Sequence, residues 1–302
     1  MFRQITVDTF PDIDRLFDNL VKKRKETEYA FSESVKEDVK DWILNGDAEV
    51  FAVFRDDNAI GFAMNYPESK KIGIIHVDDT IPDAEEIKRK LFDEAFNRLS
   101  ERTQVIRTGG PSIDAQFAEY IKTKGFKEYI RNSMMLKREK IKHLPKPKLS
   151  DEFKFATYNP SMRRAIADLI YEANIGHYEA ETFPDLFGSQ EAAYQLLESI
   201  EEIPFYPFSK VILHDEKPIG VCLIIFSSDD RGHIVDVCIH KDFRRKGLAR
   251  NLLIYAFNHT LLEMEKMQSI TLDVTEGNPA RDLYFDLGFE DVEGFIIYAW
   301  SK

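Results

Sequence analysis

Two cysteines in 302 residues leave no room for a disulfide framework. Cys222 and Cys238 lie inside apolar runs that read as strands, and neither stands at a metal-ligand spacing, so no metal site is expected. A reducing, cytoplasmic compartment is the simplest expectation for such a chain. Long apolar runs are missing as well, which sets a membrane aside. The opening Met1–Asp8 lacks a basic region followed by an apolar stretch, so no secretion signal is expected. Positive charge is also short: 41 Lys and Arg against 53 Asp and Glu give a net charge of −12. A nucleic-acid backbone would repel that balance unless the basic residues were strongly segregated, so nucleic acid is not expected as a partner. What remains, 43% hydrophobic and 31% charged residues, suits a globular chain of about two domains.

The chain repeats itself. Val50–Met64 reads as a hairpin: an apolar run, a polar turn, then Ile60-Gly61 and a second run. Lys210–Ile224 repeats it with Ile219-Gly220 in the same place, 159 residues later. Further on, Phe117–Lys127 matches Ala280–Glu290, each a short amphipathic helix ending in Gly-Phe. Glycine suits the left-handed helix cap, and the Phe packs back on the domain. Matches at both ends at nearly constant offset indicate a duplicated domain. The joint falls at 141–150, where two prolines among lysines read as a solvated linker. The expected division is therefore 1–140, a linker over 141–150, and 151–302.

In the second copy the pattern predicts helices at 161–173 and 190–200, the hairpin, and a strand over 232–240. A helix over 248–264, a strand over 269–274, a short helix and a final strand over 294–300 follow. Hairpin strands followed by strand–helix–strand–helix–strand indicate a mixed α/β (α+β) sheet.

The stretch from His233 to Leu253 is the most informative. A β-branched strand runs into a turn holding Arg244, Arg245, Lys246 and Gly247, and opens directly into a long helix. Helix amino termini present unpaired N–H groups and partial positive charge, and so bind phosphates. Gly247 permits close backbone approach, and Ala249 leaves the helix start uncrowded. The plain alternative is a capped helix behind a solvated basic turn.

These residues resemble the hallmark of the GNAT superfamily of acyl-CoA N-acyltransferases: Arg or Gln, two residues, Gly, one residue, Gly or Ala, between a strand and a helix. Arg244, Gly247 and Ala249 occupy those positions. A second element, Asn278-Pro-Ala followed by Leu283-Tyr284 and Leu287-Gly288-Phe289, agrees with the family. The resemblance implies two GNAT-like domains, each a mixed, mostly antiparallel, splayed sheet flanked by helices. It implies acetyl-CoA as acyl donor and an amine, on a small molecule or peptide, as acceptor. Donor contacts would come from the strand end Val237, Cys238 and Ile239, from Arg244, Arg245, Lys246, Gly247, Leu248, Ala249 and Arg250, and from Asn278. Asn278 is equally suited to capping the helix behind Pro279.

Transfer from a thioester to an amine needs a polarised carbonyl, a deprotonated nucleophile and a proton for the leaving sulfur. Strand N–H groups would polarise the carbonyl, and the family assigns the proton to Tyr284, otherwise a core aromatic. His233 and Asp236 are the candidate bases; an odd spacing predicts that they point to opposite faces. The acidic stretch Tyr178–Phe187 falls where the family places its acceptor loop, and Glu179, Glu181 and Asp185 would attract an amine there or simply be solvated.

In the first copy the equivalent turn, Val77–Ile87, has neither Gly nor Arg and carries five acidic residues, which would oppose a pyrophosphate. Ala115 stands at the Asn278 position and Ile121 at the Tyr284 position, so this copy is expected to be non-catalytic. The leading expectation is an N-acetyltransferase acting by direct attack in a ternary complex. The alternative is an acyl-CoA-binding sensor without turnover.

Overall fold

Near-continuous apolar runs such as Val50–Phe54 and Ala59–Met64 make strands whose two faces both need cover, and this chain supplies helices to each face. The computed structural model describes residues 1–25, 35–110, 113–202, 208–228 and 230–302. The chain forms two compact units, one made of Met1–Glu128 with Ile296–Lys302, the other of Tyr129–Phe295.

The first unit contains β1 (Phe2–Ile5), α1 (Asp14–Lys25), α2 (Val35–Asn45), β2 (Glu49–Arg55), β3 (Asn58–Tyr66) and β4 (Lys71–Val77). It continues with α3 (Ala84–Ser100), β5 (Val105–Gly109) and α4 (Ala115–Thr123). Its strand order is β1-β2-β3-β4-β5, closed by the end of β12 (Glu290–Ser301). All pairs are antiparallel except β4 with β5. One face packs Phe92, Phe117 and Phe126 under α3 and α4. The other packs Phe17, Phe62 and Val39 under α1 and α2.

The second unit contains β6 (Lys127–Lys137, from Tyr129 on), α5 (Arg138–Ile141), β7 (Phe153–Thr157), α6 (Arg163–Asn174), α7 (Tyr178–Thr182) and α8 (Pro184–Phe187). It continues with α9 (Gln190–Glu201), β8 (Lys210–His214), β9 (Lys217–Ser228), β10 (Arg231–Ile239), α10 (Leu248–Glu263), β11 (Ser269–Thr275) and α11 (Ala280–Asp286). The order is β12-β6-β11-β10-β9-β8-β7, with β10 and β11 parallel and their other pairings antiparallel. Helix α10 buries Leu252, Leu253 and Phe257 on one face; α6 and α9 bury Ile166, Ile170 and Leu197 on the other.

The repeat is visible in backbone detail. The β2–β3 turn uses Asp56 and Asp57 at φ 48° and 62°, and the β8–β9 turn uses Asp215 and Glu216 at 47° and 61°. Two consecutive positive φ values make the hairpin turn whose twist suits the strands, and Asp tolerates them. The register slips at Val53/Phe54 and again at Ile212/Leu213, the spacing of the two Ile-Gly pairs. Gly125 and Gly288 cap α4 and α11 at φ 91° and 93°, each followed by a buried Phe.

The units have other bounds than 1–140 and 151–302. Strand β6 ends the first copy in sequence, yet its residues from Tyr129 on pair with β11 in the second unit, Arg131 opposite Thr275 through Lys137 opposite Ser269. The end of the second copy, Ile297–Ser301, pairs with β5 in the first. The closing strands of the two copies are exchanged. The stretch 141–150 is largely exposed but anchored on the second unit: Ile141 is fully buried, Leu144 and Leu149 pack on that unit's core, and the Lys148 N–H donates to Asn251 Oδ1 at 2.8 Å. Among the described residues no helix is long and apolar enough to cross a membrane.

Candidate active site

Strands β10 and β11 stay paired for four residues, Arg231 with Ser269 to Ile234 with Leu272, and then part. A bulge at Val235 coincides with the parting: Ile234 faces Ile224 on β9, and Asp236 faces the next residue, Leu223. Bulges bend and twist the strand that carries them. The gap is a cavity of about 560 Å³ within the second unit. Asp236, Val237, Cys238 and Ile239 line it from β10, and Asn278 and Tyr284 from the far side.

The chain leaves β10 through a tight turn. Arg245 takes φ 66° and Gly247 φ 74°, after which α10 begins at Leu248. An added Cβ at Gly247 would meet nothing nearer than Asn251 Nδ2 at 3.8 Å, so backbone conformation, not crowding, calls for glycine. The first N–H groups of an α-helix have no intrahelical acceptor and carry partial positive charge. Leu248, Ala249 and Arg250, the first residues of α10, line the cavity. This is a cradle suited to a pyrophosphate.

The basic residues of the turn divide their work. Arg244 donates through Nε to the Ile239 carbonyl oxygen and through Nη2 to that of Ala173, both at 3.0 Å, so its guanidinium braces the turn. Lys246 lies over the rings of Phe153 and Phe243, at 5.6 and 5.5 Å. Arg245 and Arg250 line the cavity, Arg250 also reaching the Asp286 carbonyl oxygen at 3.4 Å. Asn278 accepts the Ala280 N–H at 3.0 Å, the capping role, while lining the cavity.

Tyr284 is 6% exposed and lines the cavity. Burial raises its pKa, and the charges of Asp236 and Glu179 raise it further, so the phenol keeps its proton. Burial and the Glu179 charge push Asp236 up to about 7, and its Oδ2 has no hydrogen-bond partner among the described residues. His233 is in the paired part of β10, opposite Thr271, whose Oγ1 is 3.1 Å from its Nδ1; it does not line the cavity. Burial lowers its pKa. The expectation of opposite faces fails because of the bulge: His233 faces Ile225 and Asp236 faces Leu223, two residues apart on β9, so both point to one face.

The acidic stretch over 178–187 is helical, forming α7 and α8. Glu179 is tied down rather than solvated: Oε2 accepts from Arg131 Nη1 at 2.5 Å and Oε1 from Thr275 Oγ1 at 3.0 Å. Glu181 accepts from the Tyr129 hydroxyl at 3.4 Å. Four polar residues of the cavity wall escape the sequence patterns: Arg131, Asn174, His177 and Asp273. Arg131 is a charge at a buried position of β6, but in sequence it falls within 1–140, the other copy. His177 caps α7 through Nδ1, and burial lowers its pKa.

The matching turn of the first unit is filled by its own side chains. Asp78 accepts from the Thr80 Oγ1 and N–H and from Arg15, which hold its carboxyl down at about 2. Asp83 pairs with Arg55 at 2.6 Å, and Ile81 packs on the core.

Residues 170–289 match the model of the acetyltransferase (GNAT) family. No curated protein matches the chain. Among solved structures, a GCN5-related N-acetyltransferase from Sphaerobacter thermophilus is similar over 100% of this chain and 95% of its own, at TM-score 0.65 and 15% identity. A tandem GNAT protein from the clavulanic acid biosynthesis pathway is similar over 100% and 98%, at TM-score 0.57 and 11% identity. The GCN5-related glucosamine N-acetyltransferase region of a fungal multi-domain β-N-acetylglucosaminidase matches 99% of this chain and 38% of that one, at TM-score 0.64 and 13% identity. The parted strands, the left-handed glycine before α10 and the family match agree: residues 170–289 carry a GNAT acetyltransferase domain, an acyltransferase of the kind that draws on acyl-CoA, and the chain as a whole has a tandem GNAT fold.

Proposed function

We propose that the second unit moves an acetyl group from acetyl-CoA to a primary amine of a small molecule or peptide, by direct attack with both substrates bound. The observation that carries this reading is the convergence of three groups on one cavity: the α10 amino terminus, the Asp236 carboxyl and the Tyr284 phenol. The amino terminus binds the donor's pyrophosphate, and Arg244 keeps the turn in shape. Where β10 leaves β11, alternate backbone N–H groups of Val237–Ile239, those turned away from β9, face the gap and can polarise the acyl carbonyl. Asp236, with a pKa about 7, is placed to take a proton from the incoming ammonium, directly or through water. Tyr284 keeps its proton at ordinary pH and lines the cavity, so it can give that proton to the departing thiolate. His233 lies off the cavity wall, which favours Asp236 as the base. The first unit, with its turn occupied by its own ion pairs, is non-catalytic in this reading.

The test is release of CoA thiol from acetyl-CoA across a panel of amines, amino acids, polyamines and aminoglycosides. At least one is expected to turn over, and Tyr284→Phe is expected to lower kcat by roughly 10²–10⁴-fold with acetyl-CoA affinity nearly unchanged. Tight acetyl-CoA binding without thiol release on any amine would identify a sensor instead.

A further inference from the structure

One wall of the cavity is held by polar contacts around Arg131, although its buried Nε has no partner among the described residues. Arg131 on β6 donates through Nη1 to Glu179 Oε2 at 2.5 Å and to Thr275 Oγ1 at 2.9 Å, and through Nη2 to the Asp273 carbonyl oxygen at 3.2 Å. Thr275 in turn donates to Glu179 Oε1. The Arg131 and Glu179 side chains are only 7% and 15% exposed, and the guanidinium lies 5.0 Å from the Phe183 ring centre. A buried ion pair stabilises a fold no better than apolar packing of equal volume. Its location on the cavity wall gives this one another use.

We propose that Arg131 and Glu179 are positioning residues for the acyl transfer: between them they fix helix α7 as the acceptor wall and set the charge that faces Asp236. The inference rests on the reading of Asp236 as base. Groups facing the Asp236 carboxyl are Glu179 from α7, Cys222 from β9, Cys238 on its own strand and Tyr284 from α11. Arg131, His177, Arg244, Arg245, Arg250 and Asp273 line the same cavity. Burial raises the thiols and the phenol, so they stay neutral near pH 7, and Glu179 supplies the nearby negative charge. Arg131 partly cancels that charge. Removing either partner should therefore move Asp236 in opposite directions.

The experiment is the pH profile of kcat/KM for full-length variants with whichever amine turns over, alongside acetyl-CoA affinity. Glu179→Gln is expected to shift the acid limb downward by about half a pH unit or more, through loss of a like charge. It should raise the acceptor KM and leave acetyl-CoA affinity within about twofold. Arg131→Met is expected to shift the limb upward, and Arg131→Lys to restore it. If Arg131→Met does not fold, Glu179→Gln decides alone. A limb abolished by Asp236→Asn but unmoved by Glu179→Gln overturns this inference and leaves the base assignment standing. A limb that survives Asp236→Asn overturns the base assignment, and the inference with it.

Discussion

Arg244 folds back onto the strand it follows, its Nε donating to the Ile239 carbonyl oxygen at 3.0 Å. With Nη2 on Ala173, the one guanidinium ties the donor turn to both β10 and α6. The residue is thus a brace for the cradle more than a charge within it.

Arg244→Ala should lower stability by roughly 1–3 kcal/mol, because two carbonyls lose their donor. It should also weaken acetyl-CoA binding at least tenfold, and Arg244→Lys should rescue little, since an ammonium lacks the forked geometry. Thermal unfolding and titration calorimetry measure both effects. Unchanged affinity in Arg244→Ala would remove the brace from the binding argument.

Asp236 links activity to stability. Its carboxyl ionises at about 7 when folded, against an ordinary 3.8. Below pH 3.8 the group is protonated in folded and unfolded chains alike, and its stabilising contribution is complete. As pH climbs through about 7 the unfolded chain has already released the proton, and that contribution is lost. Asp236→Asn should therefore lower kcat/KM by roughly 10²–10⁴-fold while raising the melting temperature relative to the parent above pH 7. A variant both inactive and less stable at pH 8 would mean that the carboxylate is held by partners other than those described.

Acetyl-CoA should bind once per chain. The first unit's turn holds Asp78 and Asp83 in pairs with Arg15 and Arg55, with no left-handed glycine before α3. Calorimetry on the full chain is expected to give one site, lost in Gly247→Glu. Two equivalent sites would refute the assignment of the first unit as non-catalytic.

Local chemistry was readable from the sequence wherever it was carried by neighbours in the chain. The hairpin turns, the Gly-Phe caps and the turn from Arg244 to Ala249 each declare themselves within a dozen residues. The Val235 bulge was not readable, because nothing in His233–Asp236 shows that one residue will lose its partner on β9; counting by twos then put His233 and Asp236 on opposite faces. Arg131 was hidden for a different reason. Its partner Thr275 stands 144 residues away, and strand periodicity tells which residues face inward, not which strand lies alongside.

The exchanged closing strands also govern how the chain is made. Strand β5, complete at Gly109, acquires its β12 neighbour only when Ile297–Ser301 has been synthesised, close to 190 residues later. Local pieces such as the β2–β3 hairpin and α3 can form during translation, but the sheet of the first unit keeps an unpaired edge at β5 until then. Such late, distant pairing slows folding through the entropy of closing a long loop. Exposed strand edges also recruit other chains. A nascent chain stalled before residue 296 would present that edge to its neighbours.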